Sequence, residues 1–272
     1  MPRSASKRNR RIYSFLIVLC IIGFWVFENF YTPDGVLNEV DISTRENIPP
    51  EFLPGSTTGD IVDHAYFSLS YNESFEQAEW VAYILRKGQL THDNRKRPYF
   101  VGDPLVKTHS ADWRNYKNSG YDRGHLCPAG DRRFTKQAYD ETFYTSNISP
   151  QNRDFNAGVW NRLEQKIRNW TKEKETLFVV TGGVLEKGLP TIGQEKVAVP
   201  GYFYKIVAVG PIQQPKFIAF LLPNAESDLP LHHFIVTVDH VEKLTNIDFF
   251  ASLPLELQEI MESKVVMEDW NF

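Results

Sequence analysis

Four consecutive residues, Asp122-Arg123-Gly124-His125, place a carboxylate, a guanidinium and an imidazole around a glycine. A strand centre prefers β-branched or aromatic residues and is weakened by glycine, whereas an exposed strand end beside a site accommodates all four. On an extended segment Arg123 and His125 share one face and Asp122 lies on the other. A histidine of near-neutral pKa suits a general base, and an arginine beside it suits an anion such as phosphate. Some thirty residues downstream, the run Ser146-Asn147-Ile148-Ser149-Pro150-Gln151 leads to Asn156, Trp160 and Leu163-Glu164. Trp160, Leu163, Ile167 and Trp170 recur at i, i+3, i+7 and i+10. The spacing predicts a helix over 156–172, with Asn156 at the upstream end of its apolar stripe. Asn156 offers a neutral oxygen, the donor type that magnesium accepts while keeping several waters; the simpler reading is an N-cap. Glu164 stands about 12 Å along and about 80° around a regular helix from it. One ion does not reach both directly, so Glu164 either orients water around the ion or is a solvent-facing helix carboxylate.

These motifs together resemble the DNA/RNA non-specific endonucleases, the family that includes secreted bacterial nucleases and mitochondrial endonuclease G. The resemblance rests on Asp122-Arg123-Gly124-His125, on Tyr144 through Gln151, and on Asn156 with Trp160 and Leu163-Glu164. It runs from about residue 65 to the C-terminus, where Val238 through Phe250 is similar to the family's closing segment. It implies an α+β fold of the ββα-metal type, a central antiparallel sheet flanked by helices. The implied activity is Mg²⁺-dependent cutting of DNA and RNA without sequence preference, with Mn²⁺ as a substitute ion, giving 5′-phosphate and 3′-hydroxyl ends. It makes His125 the general base, Asn156 the metal ligand and Glu164 the residue that orients water. Arg97 and Arg123 clamp phosphate, with Arg95 as the neighbouring alternative to Arg97; Asp122 orients a partner and Asn147 supports the site. A homodimer and an inhibitor protein stay open as partners. The competing reading is a catalytically silent, membrane-tethered module that binds nucleic acid without cutting it; a third is an enzyme for other phosphodiesters.

The elements that must position these residues follow from composition and pattern. With 272 residues, 42% apolar and 24% charged, the chain can bury a sizeable core in one domain. Five basic residues and no acid occupy positions 1–11, and Ile12 to Phe27 is free of charge. That pattern predicts a single-pass anchor at 1–31 with its N-terminus in the cytoplasm and the remainder outside, on a periplasmic or extracellular face or, in a eukaryote, in the mitochondrial intermembrane space. A cleaved signal peptide is the alternative, but bulky Phe24, Trp25 and Phe27 end the run. Proline and glycine from 32 to 60 predict a linker, leaving 61–272 as the domain. Ala65–Tyr71 and Ala78–Leu85 read as neighbouring antiparallel strands, and Leu177–Thr181, Tyr202–Val209 and Phe217–Leu222 as further strands. The net charge of −4 hides an asymmetry: 86–136 holds 12 Lys and Arg against 5 Asp, whereas 222–272 holds 10 acids against 2 Lys. The basic half surrounds the motif, as a polyanionic substrate requires. Cys20 and Cys127 sit in an apolar run and beside the motif, so they do not pair. His125 and Cys127 are too close in sequence, without an orienting partner, for a thiol nucleophile, and adjacent His232-His233 lack the grouping of a zinc site.

Overall fold

The computed structural model describes residues 4–31, 45–211 and 213–272. The chain divides into two units, the first ending near residue 36. The N-terminal unit is one helix, α1 (Ser4–Phe30). Its segment Asn9–Glu28 has mean hydropathy 1.9 and is long and apolar enough to cross a membrane. The predicted linker residues 32–44 lie outside the described residues.

The second unit is built on one antiparallel sheet of seven strands. Its strands are β1 (Ile61–Asp63), β2 (Ser68–Asn72), β3 (Gln77–Arg86), β6 (Thr176–Gly183), β9 (Tyr202–Val209), β10 (Lys216–Pro223) and β11 (Ile235–Val236), in that spatial order. Beside it lie two short pairs, β4 (Asp122–His125) with β5 (Ile148–Gln151), and β7 (Thr191–Ile192) with β8 (Val197–Ala198). The helices are α2 (Lys136–Glu141), α3 (Arg153–Phe155), α4 (Asn161–Lys174), α5 (Val238–Thr245) and α6 (Leu255–Glu262). The expected antiparallel sheet flanked by helices is therefore the observed architecture.

The sheet is covered on both faces, which explains why β3 reads as a continuous apolar run rather than an alternation. Val81, Tyr83 and Leu85 pack on one side with Phe155, Trp160, Leu163, Ile167 and Trp170 of the helix that leaves the site. Trp80, Ala82 and Ile84 pack on the other with Val238, Val241 and Phe250. The apolar stripe of α4 is thus buried as its spacing demands.

Residues 45–60, assigned by composition to the linker, are bound to this domain. Phe52 is 1% exposed and stacks on Phe178 with ring centroids 3.8 Å apart. Trp80 Nε1 donates to the Gly55 carbonyl at 2.8 Å, and the buried Glu79 carboxylate accepts from Thr57 N at 2.9 Å and from Ser70 Oγ at 2.7 Å. The prolines and glycines here shape a strap whose few apolar side chains fill the second core.

Candidate active site

The unit that carries the motif is small: β4, β5 and the helix start that follows β5. Antiparallel pairing sets Asp122 opposite Gln151, Arg123 opposite Pro150 and His125 opposite Ile148. Gly124 is required between them, because a Cβ there would fall 2.1 Å from Gln151 Oε1. Asn147 braces the same turn: its Oδ1 accepts from Cys127 N at 2.8 Å and its Nδ2 donates to Cys127 O and Thr142 O at 3.0 and 2.9 Å. It is fully buried, so its three bonds position the chain just after His125.

Asn152 caps α3 by accepting from Asp154 N and Phe155 N, so the N-cap role falls to Asn152 and not to Asn156. Between Asn156 and Trp160 the helix kinks, with Gly158 outside helical geometry at φ −96° and ψ −107°, and the regular-helix rotation expected between Asn156 and Glu164 does not carry across the kink. Asn156 Nδ2 donates to Asp122 Oδ2 at 3.1 Å. That bond engages the amide nitrogen and leaves the carbonyl oxygen as the group available to a ligand. A neutral oxygen oriented by a carboxylate fits a hard divalent ion that keeps its other positions for water. Asp122 also ties the helix start to the strand that bears His125.

His125 is half-buried, with Phe143 edge-on at 5.0 Å and Phe100 at 5.6 Å between ring centroids. Its Nε2 is sealed without a hydrogen-bond partner. Burial, reinforced by the positive charge of Arg97, pushes the imidazole down to about 3, so the ring is neutral at ordinary pH. Arg97 is exposed and lies 5.3 Å from the Phe100 ring centroid and 5.6 Å from that of Phe143. Arg123 lies 4.9 Å from Phe100 and 5.8 Å from Trp113. Burial and the facing Arg97 charge pull Arg123 below its ordinary value. Among the described residues neither arginine has an ion-pair partner. Arg95, by contrast, donates Nε to Arg133 O at 2.5 Å and pairs with Asp93 at 3.0 Å. Of the two alternatives, Arg97 is therefore the uncommitted cation beside the imidazole.

The long segment from Lys87 to Gly120 reaches the site because Val101 bridges Tyr144, with Val101 N to Phe143 O at 3.2 Å and Thr145 N to Val101 O at 2.9 Å. It is anchored by a fully buried pair, His64 Nε2 with Asp103 Oδ2 at 2.8 Å. Ser146 Oγ donates to the same oxygen at 2.5 Å. Burial alone would raise Asp103, but His64 and these donors outweigh it and hold the carboxyl below its usual range.

Glu164 faces a separate charged cluster: it accepts from Arg168 at 3.2 Å, and Arg168 also holds Asp131 at 2.5 Å. Burial pushes its carboxyl up to about 7 against the pull of Lys205 and Arg168. Lys205, fully buried, lies over the Trp160 ring at 4.5 Å. No hydrogen bond joins Glu164 to Asn156 among the described residues. Sequence reasoning missed Phe100, Phe143 and Trp113, which hold the arginines, as well as Lys205 and the Arg168–Asp131 pair. Only the aromatic beside Arg97 left a signal. Cys127 is fully buried, its thiol pushed up to about 12 chiefly by burial, which leaves it inert. The His232 and His233 rings lie tilted to each other with centroids 4.6 Å apart in a short turn.

A strand pair and helix start thus gather a neutral imidazole, two guanidiniums without an ion-pair partner among the described residues and an oriented carboxamide, groups suited to phosphodiester chemistry. The profile of the DNA/RNA non-specific endonuclease family matches residues 47–256, and the chain belongs to that family. It is 36% identical over 221 residues to the mitochondrial nuclease EXOG of Xenopus laevis, covering 74% of this chain and 60% of that protein. It is 37% identical over 224 residues to nuclease C1 of Cunninghamella echinulata, covering 75% of this chain and 87% of that one. A solved EndoG/EndoGI complex, describing EndoG inhibition, aligns with TM-score 0.67 and 29% identity over 77% of this chain and 95% of the solved one. The chain spans less than two thirds of the length of the Xenopus relative.

Proposed function

We propose that this chain is a membrane-tethered, Mg²⁺-dependent endonuclease that hydrolyses DNA and RNA without sequence preference. The observation that carries the reading is the pair Arg97 and Arg123, two guanidiniums whose charges oppose each other and of which neither has an ion-pair partner among the described residues, Asp122 being committed to Asn156. Like charges held together on aromatic rings await an anion, and a phosphodiester supplies one that spans both. His125, kept neutral, takes the proton from the attacking water. Asp122 holds the Asn156 carboxamide so that its oxygen presents to the ion, and Asn147 fixes the turn after His125. Magnesium at the Asn156 oxygen, or manganese in its place, would neutralise charge building on the phosphate and steady the leaving oxygen. Glu164, whose carboxylate is fixed by Arg168 on α4, would orient water around that ion.

In this reading 1–31 anchors the chain with its basic end in the cytoplasm, residues 32–44 tether it, and the catalytic domain acts outside. The intermembrane space is one such compartment, a reading that the relatives named as mitochondrial support, and a periplasmic or extracellular face is another. The EndoG complex extends to this chain the prospect of an inhibitor protein covering the arginine face, and a homodimer completes the partner side of the proposal. The test is digestion of plasmid and of a long RNA by the full chain in detergent. Both should be cut with Mg²⁺ and spared with excess chelator; binding without cutting in saturating Mg²⁺ contradicts the proposal.

A further inference from the structure

The acidic C-terminal stretch folds into a second cluster that the nuclease site does not use. Asp239 and Glu242 lie three residues apart on α5, hence on one face, and Glu262 closes α6 against them. One oxygen from each of the three carboxylates lies within 4.8 Å of the other two. Glu242 is held in place because its Oε1 accepts from Phe249 N at 2.8 Å. Glu262 is only 4% exposed, yet its Oε1 has no hydrogen-bond partner. A buried carboxylate oxygen without a partner is costly, and it belongs to a carboxylate that converges with those of two further acids. Asp248 adds a fourth negative charge nearby, and every charged influence on Glu262 comes from an acid. Among the described residues no lysine or arginine pairs with any of the three.

We propose that Asp239, Glu242 and Glu262 form a structural cation site that takes a calcium-sized divalent ion and ties α6 to α5. Calcium bonds oxygen at about 2.3–2.6 Å in irregular geometry, so oxygens up to twice that apart sit around one ion. Magnesium, which keeps most of its waters and demands an octahedron, suits the single-oxygen Asn156 site better than this convergence of three carboxylates. The helix so tied carries Met261, which packs on the second core, so the ion secures the cover of that core.

The test uses the full chain in detergent carrying Asn156→Ala, stripped with chelator and titrated with calcium chloride. Equilibrium dialysis should count one bound calcium, and the melting temperature should rise by about 5 °C or more at a hundredfold excess over Kd. Adding Glu262→Gln should remove that ion and that shift, while in chelator this variant should melt no lower than its parent. If the Glu262 variant fails to fold, the exposed Asp239→Asn gives the same comparison. Should Asn156 prove not to be a ligand, two ions would be counted in place of one, and the drop by one on Glu262→Gln would still be read. No bound calcium in the Asn156→Ala chain, or unchanged binding after Glu262→Gln, overturns the proposal.

Discussion

In the proposed mechanism His125 acts as a base only while it is neutral, and its surroundings decide where that holds. An ordinary histidine charges below about 6.5, but burial and Arg97 bring this one to about 3. The acid limb of kcat/KM, which reports the free enzyme, should therefore lie well below pH 6.5. The same shift has a cost in stability. Between about 3 and 6.5 the unfolded chain binds the proton and the folded chain does not, so the His125 contribution makes the fold less stable as pH falls through that window. An acid titration of stability in wild type and His125→Phe should show the difference. At the neighbouring carboxamide, Asp122→Ala releases the Asn156 amide, and the Mg²⁺ concentration for half-maximal activity should rise about 10–100-fold. At this scale Asp122, Arg123, His125 and Asn156 were legible because four reactive side chains are adjacent or stand at a helix start. The choice of Arg97 over Arg95 was not, since it depends on Arg133 and Asp93 consuming Arg95. Phe100 and Phe143 meet His125 across long stretches of chain, a closeness that local pattern does not encode.

At the scale of elements, the site depends on how tightly β4 lies against β5. Gly124→Ala would drive its methyl into the fully buried Gln151, and an overpacked interior of this kind should cost about 1–3 kcal/mol. Chemical denaturation reads the loss, and activity should fall with it as Arg123 and His125 shift. The loop bearing Arg97 depends on the His64–Asp103 pair. His64→Ala leaves a buried carboxylate without its partner, at a cost of about 3–5 kcal/mol; a change within 0.5 kcal/mol would refute the anchoring role. Strands β2, β3, β6, β9 and β10 were legible in runs of apolar residues, and α4 in its stripe. The kink at Gly158 was not, because it lies upstream of Trp160, Leu163, Ile167 and Trp170 and leaves their spacing intact. Lys205 was equally hidden: one lysine in an apolar strand reads as an edge residue until Trp160 and Glu164 are placed around it.

At the scale of the whole molecule, composition separates an apolar N-terminal helix long enough to cross a membrane from a domain, but misplaces the start of the domain. Proline and glycine between 45 and 60 look like linker, while Phe52 and Ile48 in the same stretch are buried in the second core. A soluble fragment from residue 45 should therefore be more stable than one from residue 61. Loss of the Phe52 side chain alone is worth about 3–5 kcal/mol, and urea denaturation of the two fragments measures the gap; equal midpoints would restore the linker assignment. The charge asymmetry was legible and meaningful: the basic stretch supplies the arginines of the site, and the acidic end supplies the carboxylates of α5 and α6. The central claim is that this family member cuts nucleic acid with His125 as base. The most direct measurement is the rate at which the full chain in Mg²⁺ nicks supercoiled plasmid, compared between wild type and His125→Ala at equal DNA binding. The expected result is a loss of about 10²–10⁴-fold in rate with binding retained, whereas a variant that cuts within a few-fold of wild type would contradict it.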